Sequence, residues 1–359
     1  MPNTYVRLLI RIAMFKAIFV SKFVLKFYPL LMIKKCLPLF IFLLGFNSIQ
    51  SQNQYNVWYF GFSSAGLDFN AGTPTSLLNS GMGFTEGCST YCNSNGQILF
   101  YTDGSQVWDK THTIMPSGNL AATSGGTPNS SMQSSVIIPV YGDTNTYYLF
   151  GNAGVPTGHS TGLAFYTKIN MTLNSGLGDV STPLTTFVTG TSERMVGVKH
   201  CNGIDHWVIT HLSGTNTFWA VRVTKCGVMD TVVSSIGPSD SFGDLSTPLK
   251  ASPKGNKLST VIKGITSIYD FDNATGSITG FNPIDTATSG ISIANMFSPN
   301  GDLFYLSSGN FPVPVFQFDL TAPNIKSTKT TVGSSSGTMA NLALPYDFQI
   351  GRDGKLYLT

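Results

Sequence analysis

Beyond residue 51 the chain has no stretch in which apolar positions recur with a helical period. Short runs rich in aromatic and β-branched residues alternate instead with clusters of Gly, Asn, Asp, Ser and Pro, the pattern of an all-β fold. One unit recurs, a two-residue turn followed by a strand. It reads Asn95-Gly96 before QILFYT, Thr144-Asn145 before TYYLF, and Asn202-Gly203 before IDHWVIT. It returns as Lys254-Gly255 before NKLSTV, Asn300-Gly301 before DLFYLS, and Asp353-Gly354 before KLYLT. The second turn residues stand at 96, 145, 203, 255, 301 and 354, at intervals of 46 to 58 residues. Three copies, SPKGNKL, SPNGDLF and GRDGKLY, are near relatives.

Asn-Gly and Asp-Gly accept positive φ at both central positions, so two-residue hairpin turns are expected. After the turn, alternation such as Leu303 and Tyr305 against Asp302 and Phe304 offers two faces to neighbouring sheets. A second hairpin follows in most units, for example Ser267 to Asp272, a turn, then Ser277 to Phe281. Four strands per ~50 residues, repeated around a ring, predict a β-propeller of four-stranded antiparallel blades. A sandwich lacks repetition at this period, and β-helix rungs are shorter. KLYLT stops at Thr359 as the second strand of its unit forms, so the last blade is expected to be incomplete. NVWYFGFSSAGLDFN (Asn56 to Asn70) follows no turn unit. Its strands are expected to complete that blade and cover an open edge. Six blades closed in this way, or seven with one cut short, both fit; the sequence favours the latter.

The first 51 residues have a different composition. They hold seven of the 21 basic residues and no acidic one, which leaves 14 basic against 18 acidic residues for the rest. The net charge of +3 therefore belongs to a leader and gives no reason to expect nucleic-acid binding. Residues 32–51 read as a secretory signal peptide. Lys34 and Lys35 form its basic region, Leu37 to Phe46 its apolar stretch and Asn47 to Ser51 its polar end. Ten apolar residues are too few to span a bilayer of ~30 Å, so no membrane span is expected after cleavage at Ser51. Residues 1–31 are apolar but interrupted by regularly spaced cations. They read either as a basic amphipathic extension or, preferably, as a stretch upstream of a true start at Met32. Residues 52–359 make the propeller domain. Only 11% of the chain is charged, and Gly, Ser, Thr and Asn fill the polar positions, which suits an extracellular β protein.

Several segments share their order with one family: WYFGFSSAGLDFNAGTP, TEGCSTY, NGQILFYTDGSQVWD, IMPSGNL, SSVIIPV with YYLF, ERMVGVKHCNG with WVITH, SPNGDLFYLSS and FQIGRDGKLY. Over residues 55–359 the chain resembles the N-terminal propeller region of large secreted Bacteroidetes proteins that carry gliding-motility-associated C-terminal sorting domains. The resemblance implies a secreted or cell-surface location. In that family further domains follow, and a C-terminal signal is read by the type IX secretion system. That machinery is an expected partner if such a domain belongs to this protein. The resemblance assigns no chemistry to individual residues.

The candidate site comes from placing the units in register. Glu86 and Glu193 each lie ten residues before their turn glycine, and Gln133 twelve before Asn145. All three begin an innermost strand and should gather at one mouth of the central channel, with Arg194 placed to neutralise them. Export makes disulfides possible. Pairing Trp207–His211 with Thr217–Val223 about Leu212–Asn216 would bring Cys201 and Cys226 to the same end of one hairpin. A bridge there is a candidate, worth roughly 3 kcal/mol. Cys88 and Cys92 read as buried thiols. His200, His206 and His211 do not share one face, so no metal site is expected, and no cofactor motif is present. Asp103, and Asp272 with Asn273, read as hairpin-turn residues. No nucleophile elbow or phosphate-binding loop is found. The function expected is an exported, non-catalytic binding or display module with a glycan or protein ligand at the propeller face. The alternative is a propeller hydrolase or lyase acting on extracellular polysaccharide through the mouth acids.

Overall fold

The computed structural model describes residues 53–60, 64–83, 86–121, 131–153, 162–240, 247–286, 291–310, 312–335 and 347–358. The signal peptide expected at 32–51 and the stretch 1–31 lie outside the described residues. The unit 52–359 is an all-β propeller, and the described residues form seven antiparallel sheets.

Each sheet is a meander whose strands follow chain order. Blade one holds β1 (Val57–Tyr59), β2 (Gly66–Asp68) and β3 (Thr75–Leu77). Blade two holds β4 (Ser89–Cys92), β5 (Ile98–Thr102), β6 (Gln106–Asp109) and β7 (Ile114–Asn119). In blade three, β8 (Ser135–Pro139), β9 (Thr146–Ala153) and β10 (Leu163–Asn170) are followed by β11 (Asp179–Val180) and β12 (Thr185–Thr189), both paired to β10. Blade four holds β13 (Thr191–Lys199), β14 (His206–Leu212), β15 (Thr217–Thr224) and β16 (Gly227–Ser235). Blade five holds β17 (Lys250–Ala251), β18 (Lys257–Ile262), β19 (Ile265–Asp272) and β20 (Ser277–Thr286). Blade six holds β21 (Ile291–Phe297), β22 (Leu303–Gly309), β23 (Pro314–Asp319) and β24 (Thr330–Ser334). Blade seven consists of β25 (Phe348–Ile350) and β26 (Leu356–Leu358).

All six recurring turns join the first strand of a blade to its second, in blades two to seven. Their geometry differs from the expectation. Only the glycines have positive φ (Gly96 +79°, Gly203 +72°, Gly255 +64°, Gly301 +77°, Gly354 +75°), while the residues before them do not. In blade six Gly301 N–H donates to Ser298 O and Ser298 N–H to Leu303 O, both at 2.8 Å. This is a four-residue loop, Pro299 to Asp302, whose first reversal is a hydrogen-bonded turn ending on a glycine of positive φ. Side chains complete it: Ser298 Oγ accepts from Leu303 N–H, and Asn202 Oδ1 accepts from Ile204 and Asp205 N–H in blade four.

The second strands are apolar without alternation because both of their faces are buried. In β9, Tyr147 and Leu149 pack on blade two while Tyr148 and Phe150 pack on blade four. In β14, Trp207 and Ile209 face blade five and Val208 faces blade three. Six apolar clusters fill the junctions between successive blades, one and two through six and seven. Each fully buried large side chain contributes about 1.5–3 kcal/mol, so the core is a set of interfaces around the ring.

The remaining junction corrects a second expectation. Among the described residues, the N-terminal strands pair with one another and form blade one, and β26 pairs with β25 and with no other strand. The turn closed by Phe60 N–H on Ala65 O folds β1 and β2 together, so they are not spare strands for the last blade. Blade seven meets blade one through side chains instead. The Tyr357 ring lies edge-on to Trp58 and Phe69, each at 5.6 Å between centroids. Arg352 donates to Asn56 Oδ1 at 2.8 Å and also reaches Asn53.

Candidate functional site at the starts of the inner strands

The first strand of each blade packs beside the first strand of the next, from β1 and β4 round to β21 and β25. These strands therefore line the axis, and the residues that precede them share one mouth. Glu86 and Gln133, just before β4 and β8, lie near Glu193 at the start of β13.

Glu86 stays exposed, yet its carboxyl is pushed up from the usual range, first by partial loss of water and then by the charge of Glu193. The charge of Glu193 in blade four thus opposes ionisation of Glu86 beside blade two, as a second nearby carboxylate does. Glu193 is fixed by its neighbours: Oε2 accepts from Met132 N–H at 3.1 Å, and its carbonyl accepts from Gln133 N–H at 3.2 Å. The tight backbone packing around Glu86 needs Gly87, where an added Cβ would lie 2.5 Å from Ser134 N and 2.6 Å from Ser131 O.

Gln133 is a brace. Its Oε1 accepts from Met195 N–H at 3.0 Å and Leu249 N–H at 2.7 Å, and its Nε2 donates to Leu249 O at 3.0 Å. One side chain from blade three thereby joins blades four and five. A second chord was not legible in the sequence. Lys250 of β17 reaches Asp347, just before β25, at 2.7 Å, tying blade five to blade seven. Among the described residues the mouth thus carries Glu86, Glu193 and Asp347, the last paired with Lys250. Its chemistry favours ligands rich in hydroxyl or amide donors, or carrying positive charge.

Arg194 does not join this group. Its side chain is 1% exposed and lies between blades four and five. It donates to Asp240 Oδ2 at 3.1 Å, Thr260 Oγ1 at 3.1 Å, Thr247 Oγ1 at 3.4 Å and Val261 O at 3.0 Å. Both residues lie in the irregular stretch of β13 between Thr191 and Met195, where Glu193 stays partly exposed and Arg194 is buried in the interface. His211 stands 3.4 Å from Asp240 in the same buried cluster. Burial alone would raise the Asp240 carboxyl, but His211, Arg194 and the Gly214 N–H outweigh it and hold the group below its ordinary range. Burial, aided by Arg194, depresses His211 and keeps it neutral.

The cysteine bridge is also corrected. Cys201 and Cys226 are free and exposed. His206 pairs with Val223, which puts Cys201 in the β13–β14 turn and Cys226 in the β15–β16 turn. These turns share an end of the blade but sit about two strand spacings apart, roughly 9–10 Å, beyond the ~7 Å limit for a disulfide. Cys92 is buried, and burial pushes its thiol up to about 11; the Cys88 thiol is pushed up to about 12 by burial, with Asp103 and Asp347 adding to it.

The three histidines are separated. His200 stacks on Trp207 at 5.9 Å, His206 lies on β14, and His211 is in the Asp240 cluster. Asp103 and Asp272 are turn residues, accepting from Ser105 and Gln106 N–H and from Ala274 N–H.

No family model matches the chain, and no curated protein sequence matches it. Among solved structures, it is similar to a Bacteroides uniformis protein titled as a 6-phosphogluconolactonase, with 14% identity, TM-score 0.48, and coverage of 82% of this chain and 84% of that one. A Bacteroides fragilis protein of the same title gives 11% identity, TM-score 0.46, and coverage of 84% and 86%. A luciferin-regenerating enzyme gives 12% identity, TM-score 0.40, and coverage of 83% and 80%. Likenesses this distant carry no chemistry over to this chain; the propeller assignment stands on the sheets and their junctions.

Proposed function

We propose that the propeller is the binding module of an exported bacterial surface or secreted protein, with its ligand seated at the mouth where the inner strands begin. The observation that carries this reading is the Glu86–Glu193 pair: Glu86 is exposed, its ionisation is opposed by Glu193, and the flanking groups are braced. A preformed polar site on a rigid ring suits recognition of a hydroxyl-rich glycan or a basic protein segment. Export rests on the leader and on the resemblance to sorting-domain proteins. The test is an array of glycans and peptides probed with the wild-type chain and with Glu86→Gln/Glu193→Gln. Binding confined to the wild type supports the reading; equal binding by both, or no binding by either, refutes it.

A hydrolase reading draws on the same pair, because an acid whose ionisation is opposed by a second carboxylate suits proton donation. Release of reducing sugar from extracellular polysaccharides by the wild type, abolished in Glu86→Gln, would favour it over simple binding.

A further inference from the structure

The strand that carries Glu193 is irregular where it reaches the mouth. In β13, Thr191 pairs with Leu212 and Met195 with Thr210, so Ser192, Glu193 and Arg194 stand opposite His211 alone. A bulge of this kind re-aims side chains, and its extra residues depend on contacts outside the ladder. Gln133 holds one side of it. Its N–H donates to Glu193 O at 3.2 Å, and its Oε1 accepts from Met195 N–H at 3.0 Å. Arg194 holds the other side. Its buried guanidinium donates to Asp240 Oδ2, Thr260 Oγ1 and Val261 O, and its carbonyl accepts from Thr210 Oγ1 at 2.8 Å. Asp240 is fixed in turn: its N–H donates to Thr215 O at 3.0 Å, and its Oδ1 accepts from Gly214 N–H.

Packing alone does not call for an arginine here. Glu86 and Glu193 both lie ten residues before their turn glycines, which makes Gly87 the counterpart of Arg194. Gly87 has no side chain, and an added Cβ would meet Ser134 N, just before β8, at 2.5 Å. Blade two thus meets its neighbour through backbone at this position. Blade four buries an ion pair there, with side chains 1% and 3% exposed, and a buried pair commonly adds no stability over apolar packing. We propose that Arg194 and Asp240 are positioning residues for the mouth, pinning the 192–194 bulge so that Glu193 meets Met132 and lies near Glu86. This role deepens the reading of the mouth as a binding site and rests on it.

The test needs no ligand. Arg194→Met/Asp240→Leu removes both charges together, because Arg194→Met alone would leave the Asp240 carboxylate buried without its guanidinium. The Met132 amide donates to Glu193 Oε2. In the folded double variant it should lose about tenfold or more in exchange protection, while the β9 ladder amides keep theirs. Glu86 should titrate as it does in Glu193→Gln. Loss of the Arg194 charge by itself would move Glu86 the opposite way, so the direction separates release of Glu193 from a change in field. Thr260→Val keeps both charges and removes one bond to Arg194. It should give the same changes at smaller size, and it carries the test if the double variant does not fold. The proposal is overturned by an unchanged Met132 amide in a folded variant, or by a Glu86 titration that is unchanged or raised. A failed glycan and peptide array with the Met132 result intact refutes the binding reading alone.

Discussion

The indole of Trp58 in the first blade meets the ring of Tyr357 in the last at 5.6 Å and 87°. Phe69 joins the same contact, and Arg352 adds hydrogen bonds to the loop before β1. Among the described residues no backbone ladder crosses this junction, and side chains make the contact.

Trp58→Ala should therefore destabilise the whole propeller, not just its first blade. The expected cost is about 2–4 kcal/mol, near or below the range for truncating a buried aromatic, because Trp58 is only partly buried. A double-mutant cycle with Tyr357→Ala should return a coupling of about 1 kcal/mol. Leu78→Ala, at a position 76% exposed, should stay within about 0.5 kcal/mol of wild type. Urea denaturation measures all three.

Acid should weaken the fold before the carboxylates titrate. Burial holds His211 below the ordinary histidine range and, with Lys199 contributing, lowers His206 to about 4. Both stay neutral in the fold but protonate in the unfolded chain near pH 6.5. Their stabilisation is complete above pH 6.5 and is lost as pH falls toward the folded values, at up to about 1.4 kcal/mol per pH unit for each histidine. Asp240, also lowered, adds its own loss below about pH 4. Glu86 and Asp103 are raised and act with the opposite sign in the carboxylate range, so pH 6.5 to 5 is the cleanest window. His206→Asn should remove about one proton's worth of slope there, read from denaturation midpoints against pH.

Thiol chemistry should separate the cysteines of the propeller into two classes. Cys201 and Cys226 are exposed and should react quickly with a thiol reagent in the folded protein. Cys88 and Cys92, with thiols pushed up to about 12 and about 11, should react only on unfolding. Quantitative recovery of both exposed thiols after non-reducing purification would agree with the turn placement; an intramolecular bridge between them would contradict it.

The repeat was readable because one physical requirement recurs. Each blade needs a tight reversal after its inner strand and a second strand buried on both faces, so Gly255, Gly301 and Gly354 precede apolar runs. Counting ten residues back from Gly96 and Gly203 also singled out Glu86 and Glu193. What the count lacked was side-chain direction: Arg194 follows Glu193 but points into the blade interface. Distance around the ring was equally hidden. Lys250 and Asp347 meet although 97 residues separate them, and Gln133 reaches Leu249 across blade four. Cys201 and Cys226 were misplaced for a related reason, since mirror positions about the β14–β15 turn run past the strands into two different loops. The N-terminal aromatic strands lacked a turn glycine and so looked like spare parts, whereas they form a blade of their own.

The convergence of the inner-strand starts on one mouth is tested most directly by titrating Glu86 by NMR in wild type and in Glu193→Gln. The Glu86 carboxyl should titrate above the ordinary glutamate range in wild type. It should fall partway back when the Glu193 charge is removed, the remainder being due to its loss of water. An ordinary value in wild type, or a raised value untouched by Glu193→Gln, would show that the two acids do not share a mouth.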